Sequence, residues 1–229
     1  MKNFYWPVYE HLEKELIELS FSVHFDDIQF EYISDRDDPD KCIKTPPYSV
    51  KIGELLIRCC TEMEALIMEL TQDERSETEI KEKLFFDKNQ GITIKNRITY
   101  LNSEKGLSKK EVQVICSNMF FVNRENKFFA PFEYEKGSVN DYISAYNAIK
   151  HNRNVNTIYK ANIRILLRAF AALYILNLHF RYKDFPVWES DSTFGSDIFK
   201  YWYIENGNKV ENDISFIRTS YEKYKENLK

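Results

Sequence analysis

The sequence predicts an all-α fold, in which residues 1–229 form a single domain: an antiparallel helical bundle with a mixed-structure insertion at about 71–137. Four segments repeat their apolar residues with a helical period. Only six Gly and six Pro occur among the 229 residues, which argues against a β-sandwich built on many tight turns. With 43% hydrophobic and 30% charged residues, the composition is ordinary for a globular protein with a sizeable core.

The first half of the chain contains two of the predicted helices. Val8, Leu12, Leu16 and Leu19 indicate a helix near 8–20, and Pro7 suits its first turn. A longer helix is predicted from Tyr48 to Leu70. The apolar positions on one of its faces are Ile52, Leu56, Cys59, Met63, Leu66, Ile67 and Leu70. Apolar residues extend well around its circumference, so we expect this helix to be central.

The other two predicted helices lie in the second half. Ser138 and Asp141 are typical of a helix start, and the pattern continues to about His151. Asn156 then suits the cap of a helix that runs to about Phe180. The apolar stripe of this last helix is Ile158, Ala161, Ile165, Ala169, Leu173 and Leu176. Short connections favour antiparallel neighbours. A polar amphipathic helix is expected from Ile214 to about Tyr224.

The insertion gives mixed signals. TQDERSETEIKEK is charged and predicts a solvated connection. Ser108 with Glu111 resembles a capping box, yet EVQVIC alternates like a strand, and FFVNRENKFF favours a hairpin around a polar turn. We therefore expect both helix and strand between residues 71 and 137.

Charge and cysteine content restrict the class of protein. The formal net charge of −4 means that any contact with nucleic acid needs a local basic patch. None of the four cysteines forms a C-x-x-C pair, which favours a reducing, cytoplasmic location. The N-terminus has no apolar signal core, and the apolar run Ala169–Leu176 is too short to span a bilayer, so no membrane contact is expected. No cluster offers three or four metal ligands, and we expect neither a metal nor another cofactor.

The most informative segment is YNAIKHNR, from Tyr146 to Arg153. His151 lies at a predicted junction between two helices, and Asn147, four residues earlier, shares its helix face. Histidine is a common general base near neutral pH, and Lys150 and Arg153 beside it suit a phosphate group. The alternative is a helix end whose cations complement the helix dipole.

These residues resemble the HEPN superfamily, small all-α domains whose ribonuclease members carry R-N-x-x-x-H or close variants. Asn147 and His151 match this motif, and Tyr146 stands in place of the family Arg. The resemblance covers the motif, its flanking helices and, loosely, the long helix from Tyr48. It implies a metal-independent endoribonuclease in which His151, Asn147 and Arg153 are catalytic. It also implies a homodimer with the site shared between its subunits.

A second cationic feature follows the motif. Lys160, Arg164 and Arg168 recur every fourth residue, and together with Lys150 they are candidate RNA-binding residues. The alternatives are that these cations form a solvated face, or that they pair with the many Asp and Glu residues of the chain.

Two functions follow as expectations. The first is an HEPN-like protein that acts on or binds RNA, for example as an endoribonuclease of a toxin or phage-defence type. The second is a non-catalytic helical module for dimerisation or for binding an unknown protein partner, which the missing Arg favours.

Overall fold

The protein is mostly helical in the computed structural model. The structure describes residues 4–23, 25, 47–72, 77–83, 91–121, 124–133, 138–152, 155–184, 195–205 and 208–211. The helices of this described part are α1 (Tyr5–Ser20), α2 (Val50–Gln72), α3 (Glu77–Lys83), α4 (Ile94–Lys105), α5 (Ser138–His151), α6 (Val155–Ile158) and α7 (Ile163–Asp184). The helix expected after Ile214 lies outside the described residues.

Helix α2 is the centre of the bundle, as its apolar circumference predicted. It packs against α1, α4, α5 and α7. All seven residues of its predicted apolar face are buried. At its start, the Ser49 hydroxyl accepts a hydrogen bond from the backbone N–H of Ile52 at 3.2 Å. The helices predicted near 8–20, 48–70 and 138–151 are thus confirmed within a few residues at each end.

The single helix predicted over 156–180 is wrong, because the chain turns between α6 and α7. Asn162 begins α7, and its side-chain oxygen accepts the backbone N–H of Ile165 at 3.1 Å. The same turn joins the segment before α2: Ile163 N–H donates to the Pro47 carbonyl at 2.9 Å, and Tyr48 forms a β-bridge with Asn162. A helical period alone does not reveal this turn, since the apolar positions continue through it from the partly buried Ile158 to the buried Ala161 and Ala169.

The mostly helical character of the predicted all-α fold is confirmed, and a small sheet accompanies the helices, with β1 and β2 inside the mixed-structure insertion and β3 and β4 after it. Strands β1 (Lys110–Val114), β2 (Phe128–Phe129), β3 (Phe199–Glu205) and β4 (Asn208–Glu211) form an antiparallel sheet in the order β2-β1-β3-β4. The strand predicted from EVQVIC is therefore β1, and Ser108 lies in a 3-10 turn instead of capping a helix. The predicted FFVNRENKFF hairpin is wrong in its pairing, because Phe128 and Phe129 pair with β1.

The sheet joins the bundle through aromatic side chains. The Tyr174 ring of α7 lies 5.9 Å from the Phe199 ring of β3 and 5.6 Å from the Tyr9 ring of α1. Residues of the insertion, such as Ile98 and Val112, belong to the same hydrophobic core as the helices. The insertion is therefore of mixed structure and packs partly into the bundle core.

Helix α7 is long and apolar enough, between Ile163 and Phe180, to cross a membrane by length and composition. However, 78% of that stretch is buried inside the chain, as in the core helix of a globular protein. Burial in the bundle therefore explains its apolar composition.

Candidate functional site at the end of α5

Helix α5 has one buried and one exposed face, and the motif spans both. Its buried residues are Tyr142, Ala145, Tyr146 and Ile149, none of them more than 4% exposed. Its last two turns expose Asn147, Lys150 and His151. These three positions are spaced i, i+3 and i+4, so their side chains share a face. A histidine, an amide and an ammonium group thus meet the solvent together.

The end of α5 is held in place by local contacts. The backbone N–H of Asn152 donates to the Ala148 carbonyl at 3.0 Å, and the Thr157 hydroxyl donates to the Asn152 carbonyl. Helix α2 passes close to this junction at Gly53. A Cβ atom at that glycine would lie 3.4 Å from Ile158 and 3.9 Å from Ile149. The exposed motif residues therefore rest on a packed base.

Tyr146, in the position of the family Arg, is buried and bonded on both sides. Its hydroxyl donates a hydrogen bond to the Glu64 carboxylate of α2 at 3.1 Å and accepts one from the Lys150 ammonium at 2.8 Å. The same ammonium lies 4.8 Å from the centre of the tyrosine ring and 4.0 Å from Glu64. The hydrogen bond with Tyr146 raises the pKa of Lys150, so its side chain stays charged at neutral pH.

The structure does not bring the other predicted cations together on one helix face. Arg153 lies outside the described residues. Lys160 lies in the turn between α6 and α7, whereas Arg164 and Arg168 are on α7, so the three do not continue one helix. All three are partly buried.

Arg168 points to the other end of α5. Its guanidinium forms an ion pair with the Asp141 carboxylate at 2.8 Å. Asp141 precedes His151 by ten residues, about 15 Å along a helix. The structure therefore groups Lys150 with Asn147 and His151, and it ties Arg168 to the start of α5.

Glu64 is the residue of this site that the sequence did not reveal. The spacing of Tyr146 and Lys150 predicts that they meet on α5, since they are four residues apart. Their carboxylate partner comes from α2, 82 residues earlier in the chain. Only the packing of the two helices brings it there.

Metal and thiol chemistry have little support at this site. In the described ranges, no group of three His, Cys, Asp or Glu side chains is placed to hold a metal ion. Cys59 and Cys60 are free thiols buried in α2, and Cys116 is a partly buried free thiol after β1. Burial raises the pKa of the Cys59 thiol, which keeps it unreactive.

Compared with known proteins, the chain matches no family model, no curated protein and no solved structure. The case for a function therefore rests on the residues and on their geometry.

Proposed function

We propose that this protein is an HEPN-like domain that acts on or binds RNA at the exposed end of α5. The observation that carries the proposal is the shared exposed face of Asn147, Lys150 and His151. In a purely structural motif, the matching Asn and His would be free to pack inward. Here they face solvent, beside a cation that suits a phosphate group.

The reaction that we propose is metal-independent cleavage of RNA. The ribose 2′-hydroxyl attacks the adjacent phosphorus, the bond to the 5′-oxygen of the next nucleotide breaks, and the product ends in a 2′,3′-cyclic phosphate. His151 moves the proton, Asn147 orients the scissile phosphate, and Lys150 or Arg153 stabilises the developing charge. A toxin or phage-defence role in the cytoplasm is part of the same proposal.

A homodimer belongs to this proposal as well. Two large apolar side chains, Tyr48 and Val50, are 47% and 66% exposed just before and at the start of α2. The β-bridge between Tyr48 and Asn162 places them beside the turn that follows α5 and α6. An apolar surface beside this turn suits a contact between two copies that brings their α5 ends together.

One observation favours a second candidate, a non-catalytic dimerisation or partner-binding module. The family Arg helps to handle the scissile phosphate, and Tyr146 in its place is only 2% exposed. A buried tyrosine contributes to packing and cannot itself contact a phosphate at the surface. In this alternative the same helix end docks another molecule without chemistry.

The deciding experiment incubates end-labelled RNAs with the wild type and with His151→Ala in EDTA. We expect wild-type cleavage that leaves cyclic phosphate ends, and a loss of about 10²–10⁴-fold in the variant. His11→Ala is the matched control, because His11 is an exposed histidine of α1, with 69% of its side chain exposed, outside the motif. It should cleave like the wild type.

Other outcomes separate the candidates. Binding of RNA without cleavage, weakened by His151→Ala, supports a binding domain without catalysis. A wild type that neither cleaves nor binds any RNA, but sediments as a dimer, supports the partner-binding module. Cleavage that requires Mg²⁺ contradicts the proposed reaction.

A further inference from the structure

Lys150 is held in an unusual way for an exposed lysine. Its side chain is 45% exposed, yet the ammonium is held by a hydrogen bond that it donates to the Tyr146 hydroxyl at 2.8 Å. Lysine loses rotamer freedom when it is immobilised, so surface lysines are usually mobile. Here that cost is already met before any ligand arrives.

We infer that Tyr146 and Glu64 are positioning residues that fix the Lys150 ammonium as the phosphate-contacting cation of this site. The cation of the motif is thereby moved by one helical turn, from the position of Tyr146 to that of Lys150. That the phosphate is a phosphodiester of RNA rests on the proposed function; the anion site itself does not.

The donors of the ammonium support this assignment. An ammonium group has three N–H donors and no acceptor. One donor goes to Tyr146, and Glu64 at 4.0 Å lies beyond hydrogen-bonding distance. Among the described residues, the remaining donors have no further hydrogen-bond partner, and the side chain is 45% exposed to solvent. Asn147 and His151 are exposed on the same turns of α5, so we expect a phosphate group bound by Lys150 to lie near both.

Glu64 has two opposing effects on this site. It accepts a hydrogen bond from the Tyr146 hydroxyl and so orients a lone pair of the hydroxyl oxygen toward Lys150. Its negative charge also offsets part of the positive charge of Lys150. We therefore expect weak binding of a single phosphate ion and tighter binding of a chain of phosphates, with a strong dependence on salt.

The test follows the ammonium of Lys150 directly by ¹⁵N NMR of the lysine side chains, during titration with inorganic phosphate. We expect phosphate to shift the Lys150 signal in the wild type. In Tyr146→Phe, which keeps the ring and loses the hydroxyl, the affinity should fall about 2- to 10-fold, the cost of ordering one side chain. Glu64→Gln serves as the second variant if Tyr146→Phe does not fold. Loss of the negative charge alone would tighten phosphate binding, so weaker binding supports the positioning role, and unchanged or tighter binding overturns it.

The matched control is Tyr5→Phe. The Tyr5 hydroxyl also donates a hydrogen bond to a glutamate of α2, Glu69, at 2.6 Å, and Tyr5 lies on α1, outside the motif. This variant removes an equivalent hydrogen bond and should leave phosphate binding unchanged. An equal loss in both variants would mean that a general loosening of the bundle is responsible, and the inference would fail.

Two further results would overturn the inference: a Lys150 signal that phosphate does not move, or equal affinity in the wild type and Tyr146→Phe. A parallel titration with a short RNA keeps the two proposals apart. If phosphate binds as expected and RNA does not, the proposed function fails and the anion site stands. If RNA binds and Tyr146→Phe changes nothing, the proposed function stands and the positioning role fails.

Discussion

The hydroxyl group of Tyr146 donates a hydrogen bond to the carboxylate of Glu64 at 3.1 Å, which joins the motif helix α5 to the central helix α2. The contact explains why a tyrosine is stable at a position where the resembling family carries a cation. At this point α5 faces the core, and an aromatic ring fills the space while its hydroxyl reaches the polar edge.

Restoring the family motif with Tyr146→Arg should therefore destabilise the protein. The variant removes a buried aromatic ring and places a second cation next to Lys150, so we expect a loss of about 2–4 kcal/mol in the free energy of unfolding. Urea denaturation measures this loss. Tyr146→Phe is the control and should lose only about 1 kcal/mol, for the hydrogen bonds. A Tyr146→Arg variant as stable as the wild type would contradict this expectation, and stronger RNA cleavage in that variant would mean that the arginine turns to the exposed face.

Arg168 should contribute little to RNA binding, despite its place in the predicted cationic series. Its charge is engaged with Asp141, about 15 Å from His151 along the helix. We expect Arg168→Ala to leave the salt dependence of RNA binding unchanged. Lys150→Ala should make the fall of log K for RNA binding with log salt concentration less steep by about 0.7, the value for one phosphate contact of a single strand. Equal slopes for the two variants would contradict the assignment of Lys150, and not Arg168, to the RNA-binding site.

The stability of the Arg168–Asp141 pair is a separate measurement. The Asp141 side chain is 47% exposed, so the pair is screened by solvent and should contribute about 0.2–1 kcal/mol. A double-mutant cycle of Arg168→Ala and Asp141→Ala gives this coupling energy. A coupling well above that range would show that the pair fixes the packing of α5 on α7.

The helices of the bundle could be predicted because each has a long amphipathic pattern. Ser138 and Asp141 marked the start of α5, and the apolar face of α2 predicted its central place. The sheet was harder, because β1 pairs with β3, some 90 residues later in the chain, and one alternating segment does not identify its partner. The break before α7 depends on a contact with Pro47, which local sequence does not reveal.

For the candidate site, the sequence predicted the residues of α5 and missed what lies across from them. The spacing of Asn147 and His151 placed both on one face, and both are exposed. Nothing in the sequence connects Tyr146 with Glu64, since they meet only through helix packing.

The alternation of β1 was a usable signal for the burial of Lys110, which shares a strand face with Val112 and Val114 and is buried with them.

Glu13 should tolerate an amide but not a truncation. This carboxylate of α1 is 4% exposed, and its Oε1 accepts hydrogen bonds from the Tyr9 hydroxyl at 2.8 Å, from the Ser196 hydroxyl and from the Ile198 N–H at 3.3 Å. Glu13→Gln keeps this acceptor and should stay within about 1 kcal/mol of the wild type. Glu13→Ala leaves buried donors without their acceptor and should lose about 2–4 kcal/mol.

The pH dependence of these variants gives an independent check. Burial raises the pKa of Glu13 above its ordinary value of 4.5, against the opposing hydrogen bonds. Its contribution to stability is then complete below pH 4.5 and is lost as the pH rises through the raised pKa. Glu13→Gln cannot ionise, so its stability relative to the wild type should increase with pH over that range. Parallel pH profiles would contradict a raised pKa.

Lys110 should make the protein more stable in mild alkali than at neutral pH. It is 4% exposed, and burial, followed by the charge of Lys105, lowers its pKa from 10.5 to about 7. The unfolded chain therefore binds the proton more tightly than the folded one, and the free energy of unfolding rises between about pH 7 and pH 10.5. Lys110→Met keeps the apolar stem and removes the charge. We expect this variant to be more stable than the wild type by a few kcal/mol at pH 7. Each unit of pKa shift corresponds to about 1.4 kcal/mol, and relaxation of the solvent and protein around the charge reduces the total. The rise of the free energy of unfolding with pH should also become flatter in the variant.

The same variant should also soften the response to acid. Burial, then Lys110 and Lys105, lower the pKa of His179 well below its ordinary value of 6.5. The folded protein therefore resists protonation of His179, and stability is lost as the pH falls below 6.5. Lys110→Met removes one of the two repelling cations, so its acid midpoint of unfolding should lie at a lower pH. Lys105→Met is the matched control, because Lys105 is only partly buried and its effect on His179 ranks below that of Lys110. If Lys105→Met shifted the acid midpoint more than Lys110→Met did, the buried lysine would not be the main source of this pH dependence.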